Sequence, residues 1–376
     1  MNLLSILEKK EIKPPKSEEI EISIFGKGIG ECLVIHLGEN NWIIVDTFLD
    51  NLKQPIPLQY IKFLGLTPKN TVKAFIATHW HDDHIRGAAR IHKECEKADF
   101  ICSEAIEASE FFKLAGLYKN GKLNFNEEGS GVDEFVGIFE NILQLKRPPN
   151  FVSAFQPILK IKNGSLKVNI LALSPSQADK WDAKTNILSE LSKVKPRSGT
   201  KRISYRKTNN GCVALWIEAN ELNFLLGSDL ESNIGSDRGW EAIISSPHKP
   251  NGKANLYKVA HHGSKTGHLD AIWDELLHKD DHHSILTPYN RSNIPQEGYI
   301  KKISELSPSS FAASHRVLRK ITDRSNMVEK TIRESTRSHK VLESRLGFVQ
   351  VRFNIKTKKT KIALYGAAIP LNRFVA

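Results

Sequence analysis

The chain has 376 residues, 40% of them hydrophobic, which is enough for a sizeable core and for one large α/β domain or two moderate ones. This composition excludes a fully disordered chain, and no run approaches the ~18 apolar residues that span a membrane. The net charge is +12 and is uneven: residues 311–361 hold fourteen Lys or Arg against four Asp or Glu.

An excess of that size favours a polyanionic partner, a nucleic acid or another phosphate-rich ligand, through long-range attraction. It also fits a chain that is merely soluble and basic. The segment before Lys10 is too weakly basic, and too short in apolar length, for a secretory signal, so the expected compartment is cytoplasmic. Cys32, Cys95, Cys102 and Cys212 are scattered without a C-x-x-C pair and read as reduced, partly buried thiols.

In chain order, residues 8–18 are charged, contain proline and read as a lead-in. Ile20–Phe25, Glu31–Leu37 and Trp42–Asp46 are strand-like runs separated by Gly-rich or Asn-rich turns. Gly26, Gly28 and Gly30 do not make a nucleotide loop. They lead into another β-rich run, Cys32-Leu33-Val34-Ile35, where a dinucleotide fingerprint would open a helix. Asp46 ends its strand either as a turn former or as an active-site group, and its neighbours do not decide which. Residues 52–68 read as a short helix and a loop.

Val72–Ala77 is an apolar strand, and directly after it comes Thr78-His79-Trp80-His81-Asp82-Asp83-His84. Four candidate ligands, His79, His81, Asp83 and His84, fall within six positions. Alternate residues of an extended segment share a side, so His79 and His81 can serve one point, while Asp83 and His84 reach a second nearby. Imidazole and carboxylate suit zinc or another borderline divalent ion, and paired ions can activate one bridging water.

Further on, Ile85–Ile91 can start a helix, Phe100–Cys102 reads as a strand, helices are expected at 104–117 and 134–145, and 119–131 reads as a polar loop. Leu166–Leu173 alternates as a strand and stops at Ser174-Pro175. Residues 180–208 read as weakly structured, with Lys193, Lys195, Arg197, Lys201, Arg202, Arg206 and Lys207 in their second half. These cations either clamp phosphates at a site mouth or face solvent. Cys212–Glu218 and Leu222–Leu226 form a hairpin that delivers Asp229, and Leu256–Ala260 delivers His261-His262-Gly263-Ser264. Ligand-type residues thus recur at three separate strand ends, which is how sites are commonly built. His282 and His283 read as solvent-exposed, and 311–344 as one or two basic helical segments. Val349–Ile355 and Ile362–Ile369 read as a terminal hairpin packed on the main body, since a lone hairpin is barely stable.

Taken together, Asp46, His79 to His84, Asp229 and His261-His262-Gly263-Ser264 resemble the successive signature segments of the metallo-β-lactamase superfamily. Asn209-Asn210 before an apolar strand, Gly227-Ser228-Asp229 after the next, and the His-His-Gly-Ser turn further resemble the metallo-hydrolase domain of ComEC/Rec2-like DNA-uptake proteins and its soluble relatives. The resemblance covers roughly residues 20–295. It implies an α/β fold, the four-layered αβ/βα sandwich, here followed by a basic C-terminal helical segment and hairpin. The expected division is a lead-in at 1–18, a hydrolase domain at 19–300 and, outside the resemblance, a basic extension at 301–376 that packs on the main domain and is also a candidate surface for a protein partner.

The resemblance also implies roles. His79 and His81 match ligands of a first metal, Asp83 and His84 those of a second, Asp229 the bridge, and Asp46 an acid supporting the site from behind. One of His261 and His262 matches the last ligand, with His262 preferred and His261 left to contact a phosphate oxygen or orient the nucleophile. The expected cofactor is one or two Zn²⁺ ions, with Mn²⁺ as the alternative. Ser264, Lys265, Asn209, Asn210, Arg202 and Arg206 are candidate substrate contacts. The sequence departs from the family where a further histidine should complete the first metal. None lies between His92 and His248, and Leu173-Ser174-Pro175-Ser176 offers serine. Three protein ligands plus water is itself a catalytic-zinc pattern.

The implied activity is metal-dependent hydrolysis, with a phosphodiester in nucleic acid or a nucleotide derivative as the expected substrate. Hydrolysis of a small ester, lactone, thioester or amide is the alternative, because one fold serves many substrates. A metal-stabilised binding module without catalysis is the third reading.

Overall fold

The structure is a computed structural model that describes residues 2–10, 12–106, 123–125, 130–192, 201–203, 209–232, 234–318, 325–336 and 342–374. The first half of the chain supplies β1 (Glu19–Gly26), β2 (Glu31–His36), β3 (Trp42–Val45), β4 (Val72–Ala77), β5 (Asp99–Ser103), β6 (Leu123–Phe125) and β7 (Asn150–Val152). Next in the chain come β8 (Pro157–Asn163), β9 (Leu166–Ala172), β10 (Lys201–Ile203), β11 (Leu215–Ala219), β12 (Leu222–Leu226), β13 (Leu256–Lys258) and β14 (His283–Leu286). It ends with β15 (Ser310–Ala312), β16 (Arg316–Leu318), β17 (Leu342–Ser344), β18 (Gly347–Asn354), β19 (Thr360–Gly366) and β20 (Ile369–Pro370).

Two eight-stranded sheets result, ordered β19-β18-β1-β2-β3-β4-β5-β7 and β20-β15-β14-β13-β12-β11-β9-β8. Their facing sides share one apolar layer, in which Ile20, Ile22, Ile24, Ile43 and Ile76 meet Ile170, Leu215, Ile217, Leu226 and Ile285. Because side chains alternate along a strand, the intervening residues point outward. Val34, Trp42, Ile44 and Phe75 pack under helical Ile56, Ile61, Ile91 and Phe135. Trp216, Leu225 and Tyr257 do the same with Trp240, Ile243, Ile272 and Ile303. Helices cover both outer faces, and the layers run αβ/βα.

The terminal hairpin is part of the first sheet: β18 pairs with β1 along its length, from Glu19 opposite Asn354 to Gly26 opposite Gly347. Three expectations need correction. Residues 177–192 are helical. Ser176 and Asp179 cap that helix reciprocally, the Asp179 N–H donating to Ser176 Oγ and the Ser176 N–H to Asp179 Oδ2, both at 3.1 Å, and Ala183 and Ile187 bury its inner face. Within 311–344 only Asn326–Ser335 is helical among the described residues, because the short apolar runs at β15 and β16 are drafted into sheet pairing. His282 is buried and donates from Nδ1 to the His278 carbonyl at 2.5 Å, and half-buried His283 bonds Ser309 Oγ at 2.7 Å. Their acidic neighbours in sequence suggested solvent, but the start of β14 lies inside the second sheet. Of the helix expected at 104–117, Glu104–Ile106 form a single turn and residues 107–117 lie outside the described ones, as do 193–200 and 204–208 of the basic segment. The four cysteines are buried and free.

Candidate metal centre

The ends of β3, β4, β12 and β13 gather at one edge of the sandwich, and their tips are held in backbone conformations that ordinary residues avoid. Asp46, Ser228, His261 and His262 all have positive φ, at 58°, 46°, 45° and 55°. Strain of this kind persists only where surrounding structure enforces it, and it concentrates at functional sites. Gly227 allows the approach: a Cβ there would lie 2.8 Å from Ala260 Cβ, beside the histidine turn.

Asp46 organises the first ligands. Its Oδ1 accepts the Thr78 N–H at 2.8 Å, and its Oδ2 accepts Thr78 Oγ1–H and His84 Nδ1–H, both at 2.7 Å. Having donated its one proton, Thr78 Oγ1 accepts from His79 Nδ1 at 3.0 Å. His262 Nδ1 donates to the Thr287 carbonyl at 2.8 Å. In all three rings Nδ1 carries the proton and Nε2 is turned to a common centre, the arrangement that fixes the tautomer of a metal-binding histidine.

Around that centre, His84 Nε2 lies 3.5 Å from Asp229 Oδ1 and 3.6 Å from Asp83 Oδ2. His262 Nε2 lies 3.2 Å from Asp83 Oδ2 and 3.5 Å from Asp229 Oδ2. His79 Nε2 is 4.0 Å from Asp229 Oδ2, and the His79 and His81 rings are 4.6 Å apart. Ligand atoms of Glu31, His84, Asp229 and His262 fall within 4.8 Å of one another, and so do those of His79, His81 and Asp229. Glu31 lies on the Nδ1 side of His262, at 3.3 Å, and pairs with buried Lys258 and with Thr287 Oγ1.

The electrostatics follow from crowding acids and imidazoles in a buried space. Burial pushes the Asp229 carboxyl up, but His262 and His84 outweigh it and hold it well below the carboxylate range. Burial likewise opposes the charge on His84, yet Asp229, Asp83, Glu31 and Asp46 hold its pKa well above the histidine range. Burial and the neighbouring His84 and His81 hold His79 well below it. Glu31 is driven to about 2, burial being overcome by Lys258 and His84.

Whether these residues fit a divalent ion can be asked of the atoms themselves. His79 Nε2, His84 Nε2 and Asp229 Oδ1 are buried and have no hydrogen-bond partner. Unsatisfied buried polar atoms are costly, and three of them aimed at one space are what a shared cation would satisfy. The donor set, nitrogen and carboxylate oxygen, suits zinc or manganese. The site fits the ion. Residues 25–155 match the family model described as the metallo-beta-lactamase superfamily. The αβ/βα layering is typical of the metallo-beta-lactamase fold. Among solved structures the chain is similar to the metallo-β-lactamase SMB-1 in complex with mercaptoacetic acid, at 15% identity and a TM-score of 0.33 over 66% of this chain and 80% of that one. It is also similar to a mutant flavo di-iron protein from Thermotoga maritima, at 11% identity and a TM-score of 0.25 over 52% of this chain and 32% of that one. No curated protein matches it.

Other candidates fall around the ligand cluster. His261 turns away from the centre: Asn209 Nδ2 donates to its Nε2 at 3.2 Å, and its Nδ1 faces Thr266 Oγ1 at 2.8 Å and Glu231 Oε1 at 3.2 Å. Ser264 Oγ accepts the Gly267 N–H at 3.1 Å, and Lys265 is exposed. Asn210 shares a turn with Asn209, Arg202 lies on β10 opposite Asn124 of β6, and Arg206 lies outside the described residues. At the point lacking a histidine, Ser174 Oγ donates to the Cys212 carbonyl at 2.7 Å and accepts the Ala214 N–H at 2.8 Å, so it serves the backbone. The sequence reading missed Glu31, Lys258 and Glu231. The available signal was charge out of place: Glu31 opens the strand run Cys32–Ile35, and Lys258 closes β13 after Leu256 and Tyr257.

Proposed function

We propose that the chain is a metal-dependent hydrolase of phosphodiesters, acting on nucleic acid or a nucleotide derivative. The observation that carries the metal is the convergence of buried, partnerless His79 Nε2, His84 Nε2 and Asp229 Oδ1. His79, His81 and Asp229 would hold one ion, and Asp83, His84, His262 and Asp229 a second. A divalent ion there supplies Lewis acidity and a water of lowered pKa.

The protein's own part is positioning. Asp46 aims His84 directly and His79 through Thr78, and Thr287 aims His262. Asp83, beside His262 and at the rim, is placed to orient an attacking water. His261, braced by Asn209, Glu231 and Thr266, holds a proton at Nδ1 near the mouth and can contact a phosphate oxygen.

A phosphate-rich substrate is supported by the net charge of +12 and by exposed cations flanking the ligand turns. Lys265 follows the histidine turn, and Arg291 lies two residues beyond Tyr289, whose ring stacks on His262 at 5.2 Å. Within the superfamily, the Asn209-Asn210, Gly227-Ser228-Asp229 and His261-to-Ser264 segments favour the ComEC/Rec2-like branch. The test is incubation of Zn²⁺- or Mn²⁺-loaded protein with single- and double-stranded DNA, RNA and cyclic dinucleotides, with Asp229→Asn as control. Cleavage of at least one by wild type alone is expected. Cleavage of none by a metal-loaded sample removes the phosphodiester reading and turns attention to small esters, lactones, thioesters and amides.

A further inference from the structure

Behind the candidate ligands sits an ion pair between the two sheets. Glu31 opens β2 of the first sheet and Lys258 ends β13 of the second, and each is 1% exposed at its side chain. The Lys258 ammonium bonds Glu31 Oε1 and also donates to the Ser228 carbonyl at 3.2 Å, in the turn whose next residue is Asp229. Glu31 Oε2 accepts from Thr287 Oγ1, and the Thr287 carbonyl is the acceptor that fixes His262. The same carboxylate lies 3.3 Å from His262 Nδ1 and 3.8 Å from His84 Nδ1. It therefore touches the rear of two imidazoles and, through Lys258, the turn that aims the carboxylate facing them.

We propose that Glu31 and Lys258 are positioning residues for the metal centre: their ion pair fixes the spacing of Asp229, His84 and His262 across the two sheets. Glu31 falls within the 4.8 Å cluster, but on the Nδ1 side of both imidazoles, away from the Nε2 atoms that face the centre. Both of its oxygens are instead bound to fixed partners on the second sheet. Lys258 is too deep to touch a substrate, so its effect passes through Ser228 and Glu31. An inter-sheet contact needed only for folding could be apolar, and buried pairs are often no more stabilising than the apolar residues that could replace them. What an apolar pair could not do is hold a carbonyl and a carboxylate in fixed directions around an ion, the task that outer hydrogen-bond partners perform at metal sites.

The inference rests on the metal-centre reading above. It is tested by Zn²⁺ affinity, measured in competition with a chromophoric chelator, and by the visible absorption of the Co²⁺-loaded protein. Wild type is compared with Lys258→Met, Glu31→Gln and the double variant. Each single variant should lose roughly 10- to 100-fold in affinity and show altered Co²⁺ bands. The double variant leaves no buried charge unpaired, so it should regain thermal stability while its affinity and Co²⁺ spectrum stay altered. Wild-type affinity and spectrum in the double variant would show the pair to be structural only and overturn the proposal. Should the double variant not fold, Glu31→Gln alone, which keeps the side-chain volume, decides by the same two readouts. If the wild type itself takes up no ion, the metal-centre reading fails and this proposal fails with it.

Discussion

Among the described residues, two groups of buried polar side chains differ in how they end. On the outer face of the first sheet, Glu21 accepts Tyr60 Oη–H at 2.7 Å, Ser23 Oγ–H at 2.9 Å and Arg352 Nε–H at 2.8 Å, while Gln350 Nε2 donates to Tyr60 Oη at 2.7 Å. That network closes on itself and stitches the C-terminal strand to the first. At the sandwich edge, the Nδ1 atoms of three histidines are equally well supplied, but the Nε2 atoms of His79 and His84 and an Asp229 oxygen are left over. A satisfied network specifies structure, whereas a cluster satisfied from behind and open in front is built around something else.

The comparison can be broken most sharply by Asp229→Asn. Hydrolysis should fall by roughly 10³-fold, about 4 kcal/mol of transition-state stabilisation, with bound metal reduced and the far-ultraviolet circular dichroism unchanged. Glu21→Leu should do the reverse. It takes the carboxylate acceptor from Tyr60 and from the half-buried Arg352 guanidinium and should cost about 3 kcal/mol in denaturant unfolding, while activity per folded molecule is retained. Next comes the ion itself: free Zn²⁺ at about 100 times its dissociation constant should stabilise the wild type by about 2.7 kcal/mol, and by the same amount in the Glu21→Leu background. A chelator should remove that increment from both.

The smallest effect sharpens the contrast between closed and open imidazoles. His36 has both ring nitrogens occupied, Nδ1 donating to the Glu19 carbonyl at 2.8 Å and Nε2 accepting the Asn40 N–H at 3.1 Å. Burial lowers its pKa from 6.5 to about 4. The unfolded chain then binds the proton more readily, so the His36 contribution is intact above pH 6.5 and is lost as pH falls toward 4. Unfolding free energies between those limits should drop by roughly 1–3 kcal/mol in wild type, and the slope should flatten in His36→Gln.

Much of this was legible from the residues. Strands β1 to β5 and β11 to β14 announce themselves by apolar runs, and His79, His81, Asp83 and His84 stand together because one strand end delivers them all. Asp229 and His262 could be suspected only because they sit at the tips of later strands. Their partners could not. Glu31 meets Lys258 and Thr287 across the gap between the sheets, and nothing local to β2 records a neighbour more than two hundred residues away. The helix at 177–192 was obscured by its polar surface and signalled only by Ser176 and Asp179, a cap that composition does not reveal. In the C-terminal region, basic charge suggested helix where short apolar runs were taken up by sheet pairing.

The most direct measurement is the number of Zn²⁺ ions retained per chain after loading and gel filtration, for wild type beside Asp229→Asn. One or two ions are expected in wild type and fewer in the variant. Folded wild-type protein that retains none under any loading condition would contradict the metal-centre reading.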